Sequence, residues 1–416
     1  MNLLYFLSCL TILQGIVALI DGIRAAAYMK ASFRRRLYAG AATAGRFLRS
    51  RTSFGRVGVK PTPTRLAIHV AVLCPCKGTD PELKENIRSI LAQDHPRFTA
   101  YFIVESEADP AYGLLQGIGA RVLVAGPANE CGQKVHNLRF GVRHADPTAD
   151  TFVFCDADAR FPRQWLRQLT SPLDDDRVAV SSGYRWYVAP RFNLPTLLRS
   201  AWNASVVSML GDHNRNFAWG GSMALRRETF DRIGVLDAWR GAVSDDYAVT
   251  RAARRAGGKI VFVPTCLIPS HGVCTFAELL EFTTRQIIIT RVYNPRLWRI
   301  AFLSQTMFNI TFLWLTAAVV SHRPLLLEAA LLWTAIYTLA SVKSAVRLSA
   351  VRSVIHDPSL FRYGWFYILS SPIVALLYQY NMVRSALTTD IEWRQIHYTL
   401  ISPNETRVRR SSVSAS

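Results

Sequence analysis

Acidic residues are scarce in this chain. It carries 29 Asp and Glu against 49 Lys and Arg, a formal net charge of +20 over 416 residues. From residue 22 to residue 65 there are eleven Lys or Arg, Arg34, Arg35 and Arg36 among them, and no acid. Such an excess raises nucleic acid as a partner, yet zinc-finger spacing and an aromatic RNA-binding signature are both missing. Much of the charge flanks apolar segments, where it meets anionic lipid head groups. No nucleic-acid partner is expected. The seven cysteines form no C-x-x-C pair, which argues against a cysteine zinc site and for free thiols in a cytoplasmic domain. No internal repeat is present.

Charge is absent altogether from residues 2–20, a stretch long enough to span a bilayer. No basic residue precedes it, unlike a signal peptide. The basic residues follow, so the positive-inside rule predicts an uncleaved anchor with its N-terminus outside. Residues 300–320 form a second candidate span and 325–342 a third, marred by Glu328. A fourth, 363–383, is interrupted by Pro372. Four spans would leave the C-terminal tail outside, although Arg394, Arg407, Arg409 and Arg410 favour the cytoplasm. A re-entrant hairpin at Pro372 would return it, and a cytoplasmic tail is expected. Beyond Asn404 the polar end is expected to be disordered.

The block from about residue 66 to 298 is long enough for one well-cored domain. It opens on an apolar run, LAIHVAVLCPC, followed by a segment with Leu83, Ile87, Ile90 and Leu91 at helical spacing. The apolar runs TAYFIVESE, ARVLVAG and TFVFCDAD follow, alternating with helical segments. That alternation predicts an α/β fold, a mostly parallel sheet with helices on both faces. Ligands of open sheets bind at the carboxyl ends of the strands, where the pattern puts Glu105, Glu107, Asp156 and Asp158.

Four features carry chemistry. Asp156 and Asp158 end an apolar strand one residue apart, so both carboxylates reach one point where the chain bends. Hard divalent ions take such oxygens, though Asp is also common in plain turns. Asp245 and Asp246 open a helix, where acids also serve as caps. Trp219, Gly220, Gly221 and Ser222 would let backbone approach a ligand, or form a tight turn. Lys134 offers a cation for a phosphate, or lies on a solvated surface.

Taken in order, these motifs resemble the family 2 glycosyltransferases of GT-A fold, most closely the ceramide glucosyltransferase branch. The resemblance is carried by PCKGTDPELKENIRSILAQDHP, VESEADPA, KVHNL, FCDADARF, GGSMALRRETFDRIG, SDDYAVTRAARRAGGKI and IEWRQIHYTLISP. It implies a nucleotide-sugar donor near Lys77, Glu105, Glu107, Lys134 and Asp156, where the family usually has Asp in the Glu105–Glu107 region. It implies a Mg²⁺ or Mn²⁺ ion on Asp156 and Asp158, with His271 as a further ligand. Asp246 would be the catalytic base with Asp245 beside it. Trp219, Gly220, Gly221, Ser222, Arg285, Gln286 and Arg291 would face the acceptor. Many relatives have Gln/Arg-x-x-Arg-Trp on a helix at the membrane surface, whereas Ile288 and Ile289 stand where Arg-Trp would be, which argues against a long polymer product.

The expected activity is inverting transfer of a hexose, from UDP-glucose or a related donor, to a lipid hydroxyl at a bilayer. A different lipid acceptor, a short-polymer synthase and an inactive membrane scaffold are the alternatives. The expected organisation is an anchor over 1–21, a basic juxtamembrane linker over 22–65 and a cytoplasmic catalytic domain over 66–274. An interfacial amphipathic helix over 275–299, membrane segments over 300–385 and a tail over 386–416 complete it. The membrane would be a bacterial inner membrane or the ER or Golgi.

Overall fold

The computed structural model describes residues 2–49, 68–321 and 326–410, with side chains of the first helix described from Leu3 to Arg34. That helix, α1 (Asn2–Arg49), does not stop at residue 21. The expected linker is therefore helical as far as Arg49, and its remainder, 50–65, lies outside the described residues.

The catalytic block begins with β1 (Val70–Pro75), α2 (Leu83–Leu91), β2 (Phe98–Val104), α3 (Pro110–Gly117), β3 (Val122–Val124), α4 (Gln133–His144) and β4 (Thr151–Cys155). It continues through α5 (Trp165–Thr170), β5 (Val178–Val188), α6 (Leu194–Val207), β6 (Ser222–Arg226), α7 (Arg227–Arg232), α8 (Val235–Ala238), α9 (Asp245–Arg255) and β7 (Lys259–His271). The seven strands form one sheet in the order β3-β2-β1-β4-β6-β5-β7. Only β6 runs against its neighbours. The α/β class expected from the sequence is the one observed.

Side chains alternate across a strand, and both faces here are apolar. Ala71, Leu73, Phe152 and Phe154 point into one core with α4 and the α7–α9 segment. Val70, Val72, Val153 and Cys155 point into the other, with α2, α3 and α5. With both faces covered, the polar ends of the strands are left to line a cleft.

After β7 come α10 (Phe276–Tyr293), α11 (Pro295–Val320), α12 (Leu326–Arg352), α13 (Pro358–Arg362), α14 (Gly364–Leu369) and α15 (Ser371–Leu387). Among the described residues, three helices are long and apolar enough to cross a membrane: Leu3–Arg34 of α1, α11 and α12. They leave Phe6, Leu13, Leu303, Leu313, Leu327 and Leu331 exposed. The fourth expected span, 363–383, is instead two pieces, α14 and the greater part of α15. Its break falls at Ser370, just before Pro372 in the first turn of α15, where proline fits without costing a hydrogen bond.

The C-terminal end is ordered as far as Arg410, where disorder was expected beyond Asn404, and residues 411–416 lie outside the described residues. β8 (Asp390–Trp393), β9 (Ile396–Ser402) and β10 (Glu405–Arg410) form an antiparallel sheet. It packs on Ile288, Ile289 and Tyr293 of α10 through Ile391, Ile396, Tyr398 and Leu400. Tyr398 Oη accepts from Gln133 N–H at 3.2 Å, and Thr406 donates to Gly241 O at 2.7 Å. The tail is therefore packed against the block that carries the seven-stranded sheet, and among the described residues three helices, not four, are long and apolar enough to cross a membrane.

Candidate functional site

β4 delivers Asp156 and Asp158 to the carboxyl edge of the sheet. Because β6 opposes β4, its first residue Ser222 pairs with Cys155, which brings the Trp219–Gly221 loop beside Asp156. Asp156 N–H donates to Gly221 O at 3.4 Å. Strand β5 is eleven residues long and pairs with β6 only at Ser181 and Ser182. Its second half continues with β7 past the sheet edge and carries Arg185 over the two acids.

Arg185 holds both carboxylates. It donates to Asp156 at 2.6 Å and to the two oxygens of Asp158 at 2.9 and 3.0 Å. Its guanidinium lies 4.8 Å from the Trp219 ring centroid and 5.4 Å from that of Tyr187, a stacking that favours a cation. The first turn of α4 adds Lys134, with its ammonium 2.7 Å from Asp156 and 3.2 Å from Asp245. Ser244 caps α9 by accepting from Tyr247 N–H at 3.2 Å, which sets Asp245 and Asp246 at the same edge.

The two neighbouring acids differ. Asp245 is buried at 4 % exposure, and its Oδ2 has no hydrogen-bond partner. Burial pushes its carboxyl up to about 6, helped by Asp246 and Asp156 and opposed by Lys134. Asp246 is half-buried; its Oδ1 accepts from Ser244 Oγ and Tyr247 N–H, and its Oδ2 from Gly220 N–H at 3.3 Å. Burial alone would lower the Lys134 ammonium, but Asp156, Asp245 and Asp246 outweigh it and push it up. Burial would likewise raise Asp156, and Lys134 and Arg185 hold it below the usual range.

Gly220 and Gly221 serve packing rather than ligand approach. A Cβ on Gly220 would fall 2.1 Å from Asp245 Oδ2, and one on Gly221 would fall 2.1 Å from the Trp219 ring. Ser222 is fully buried and accepts from Trp165 Nε1 at 2.8 Å. These three residues shape the site from behind; they do not line the cleft.

A cavity of about 2270 Å³ joins this cluster to the apolar helices. Lys77, Lys134, Asp156, Asp158, Arg185, Trp219, Asp245 and Asp246 line one end. Ala301, Ser304 and Gln305 of α11, with Tyr378 and Met382 of α15, line the other. Arg285 and Gln286 of α10 stand between, Arg285 held by Glu281 at 2.8 Å and Glu392 O at 3.1 Å.

Other expected site residues stand elsewhere. Glu105 is outside the cavity wall, its carboxylate taken by Lys77 at 2.6 Å and by Arg410. Glu107 is exposed beyond it, 3.5 Å from Tyr112 Oη. Arg291 turns toward the end of α15, donating to Ser385 O, and does not line the cavity. His271 lines the cavity but its Nε2 is 3.3 Å from Asp357. Among the described residues no three His, Cys, Asp or Glu side chains are grouped to hold a metal ion, so His271 does not complete a ligand set with Asp156 and Asp158.

The donor chemistry nonetheless fits a divalent ion. Asp156, Asp158, Asp245 and Asp246 bring four carboxylates against the two cations Lys134 and Arg185, a negative excess of hard oxygens. The Asp158 side chain is 48 % exposed at the cleft. A Mg²⁺ or Mn²⁺ ion there would draw its remaining ligands from water and phosphate oxygens.

Arg185 was not among the residues expected from sequence. Its signal is present there: one charge inside VAVSSGYRWYV, a strand otherwise apolar or small and buried throughout. Charges are almost never buried unless paired.

The model of glycosyl transferase family 21 matches residues 37–406. The chain belongs to that family of glycosyltransferases. A ceramide glucosyltransferase from Komagataella phaffii is 35% identical over 65 residues, 16% of this chain and 13% of that protein. The match thus spans a small part of the relative's length. Among solved structures, a mannosyltransferase from Pyrobaculum calidifontis in complex with GDP-Man and Mn²⁺ is 19% identical, with a TM-score of 0.42, over 87% of this chain and 98% of that one. A glucosyl-3-phosphoglycerate synthase from Mycobacterium tuberculosis in complex with Mn²⁺ and UDP-glucose is 17% identical, with a TM-score of 0.38, over 58% and 85%.

Proposed function

We propose that this enzyme moves one hexose from a nucleotide sugar, UDP-glucose or a related donor, to the hydroxyl of a membrane lipid of the ceramide class, with inversion. The observation that carries it is the continuity of the cavity from the carboxylate cluster to α11 and α15. A water-soluble donor enters at the sheet edge, and a lipid head group enters beside α11, a helix long and apolar enough to cross a bilayer. The partial match to a ceramide glucosyltransferase supports that lipid class. The catalytic domain is taken to be cytoplasmic, where nucleotide sugars are made and where the basic segment after the anchor belongs.

Asp246 accepts the proton of the acceptor hydroxyl as its oxygen attacks the anomeric carbon. The bond from that carbon to the diphosphate oxygen breaks, and the diphosphate leaves with the electron pair. Asp246 is suited because it is the more open of the two acids, with both oxygens fixed by donors. Lys134 and Arg185 offer positive charge to the diphosphate. Asp156 and Asp158 would hold a divalent ion, which when bound would add Lewis-acid charge at the leaving group. Asp245 keeps Lys134 in place. No covalent enzyme intermediate is required.

The test is to supply the full chain in detergent with labelled UDP-glucose, UDP-galactose or GDP-mannose. The acceptors would be ceramide, diacylglycerol, a hopanoid lipid or polyprenyl phosphate, with Mg²⁺ or Mn²⁺. Label in the organic phase as a lipid bearing one sugar is expected. A water-soluble polymer would instead favour a short-polymer synthase, and absence of transfer and of donor binding would favour a scaffold.

A further inference from the structure

The turn joining β8 to β9 is unusual in backbone and in position. Trp393 pairs with Ile396, so Arg394 and Gln395 alone make the turn. Both have positive φ, 50° and 64°, and among the described residues they are the only non-glycine residues that do. Two-residue hairpins with positive φ at both positions favour Asn-Gly or Asp-Gly. A chain that places Arg and Gln there holds two long polar side chains in a conformation they disfavour. Such outliers gather at functional sites.

The turn also sits at the donor end of the cavity. Glu392, Trp393, Arg394 and Gln395 all line it. Arg394 reaches the loop that follows β1 and donates to Asp80 at 2.6 Å. Asp158 and Asp109 add to its electrostatic surroundings. The sheet behind the turn is anchored to the first turn of α4, which bears Lys134: Tyr398 accepts from Gln133 N–H, and Arg410 donates to the Gln133 side chain at 2.6 Å. The hairpin thus brings a further cation to the cavity that Lys77, Lys134 and Arg185 also line, paired to a carboxylate that an anion can replace.

We propose that the β8–β9 turn is part of the donor site and that Arg394 leaves Asp80 to bind the diphosphate of the nucleotide sugar. The assignment rests on a nucleotide-sugar donor. It deepens that function by giving the C-terminal sheet a binding role beside its packing on α10.

The test uses the full chain and three ligands, UDP, GDP and uridine, followed by calorimetric titration. In one variant, Arg394→Asn with Gln395→Gly, the turn receives the pair it favours. Its unfolding temperature is expected to equal or exceed that of the wild type. Its affinity for UDP is expected to fall at least tenfold while uridine binding stays within twofold. Arg394→Lys should recover part of the loss, and Arg409→Ala, an exposed cation of the same sheet, should bind UDP like the wild type. Arg394→Gln serves in place of the double variant if that one does not fold. Wild-type affinity for UDP in the folded turn variants would overturn the turn's role and leave the nucleotide-sugar function standing. A wild type that binds neither UDP nor GDP would overturn both.

Discussion

At the sheet end of the cavity the wall is Asp156, Asp158, Asp245, Lys134 and Arg185, linked by ion pairs of 2.6–3.2 Å, with Asp246 beside them held by Ser244, Tyr247 and Gly220. At the helix end it is uncharged, with Ala301, Ser304, Gln305, Tyr378 and Met382, and Ile288 and Ile289 of α10 are buried against the C-terminal sheet. The contrast separates two tasks. The sheet end must hold charge at fixed points, so the fold surrounds each carboxylate with donors. The helix end, under the proposed function, would admit a lipid, and it offers uncharged space beside α11 and α15. That part of α10 serves two surfaces, with Ile289 lining the cavity and Ile288 and Ile289 packed on the C-terminal sheet.

The contrast can be broken at either end. The largest effect is expected from Arg185→Leu, which leaves Asp156 and Asp158 without their shared cation. Breaking a buried pair by removing one partner costs roughly 3–5 kcal/mol. The unfolding temperature should fall, 5 mM Mg²⁺ or Mn²⁺ should restore more of it than in the wild type, and donor affinity should drop at least tenfold. At the apolar end, Ile288→Ala should cost about 2–4 kcal/mol through the cavity it leaves. Its donor affinity should stay unchanged while proteolysis of the 390–410 segment accelerates. A loss of donor affinity without destabilisation would show that the two ends are not separate.

The smallest effect is a matter of pH. Asp245 titrates near 6 in the folded protein, above the ordinary value near 4 for an unfolded Asp. The folded state therefore binds the proton more tightly, and that stabilisation is present below about pH 4 and lost as pH rises through 6. Asp245→Asn removes this slope. Between pH 4.5 and 7.5 the variant's unfolding temperature should decline less than that of the wild type, measured by thermal denaturation at each pH.

Much of the sheet end was legible in sequence because its residues sit at places where local rules act. Asp156 and Asp158 follow an apolar strand, Asp245 and Asp246 open a capped helix, and Lys134 lies in the first turn of another. The sheet brings all five to one edge. Arg185 and Arg394 were not found, because each matters through elements distant in sequence. Arg185 depends on β5 overrunning the sheet edge, and Arg394 on a hairpin turn that meets Asp80, 314 residues earlier in the chain. Glu105 illustrates the converse. It does end a strand at the right edge, but Lys77 and Arg410 neutralise it away from the cavity. The span at 363–383 failed as a continuous helix at the residue pair before Pro372, where proline's lost donor favours a fresh helix start.

The central claim is that donor and acceptor meet at Asp246, between the charged wall and the apolar one. Asp246→Asn in the full chain measures it most directly, with donor affinity and single-turnover transfer to lipid followed in the same preparation. The expected result is UDP affinity within a fewfold of wild type, an unchanged unfolding temperature and transfer slowed by at least about a hundredfold, the usual contribution of a positioned base. Transfer at the wild-type rate in that variant would contradict it.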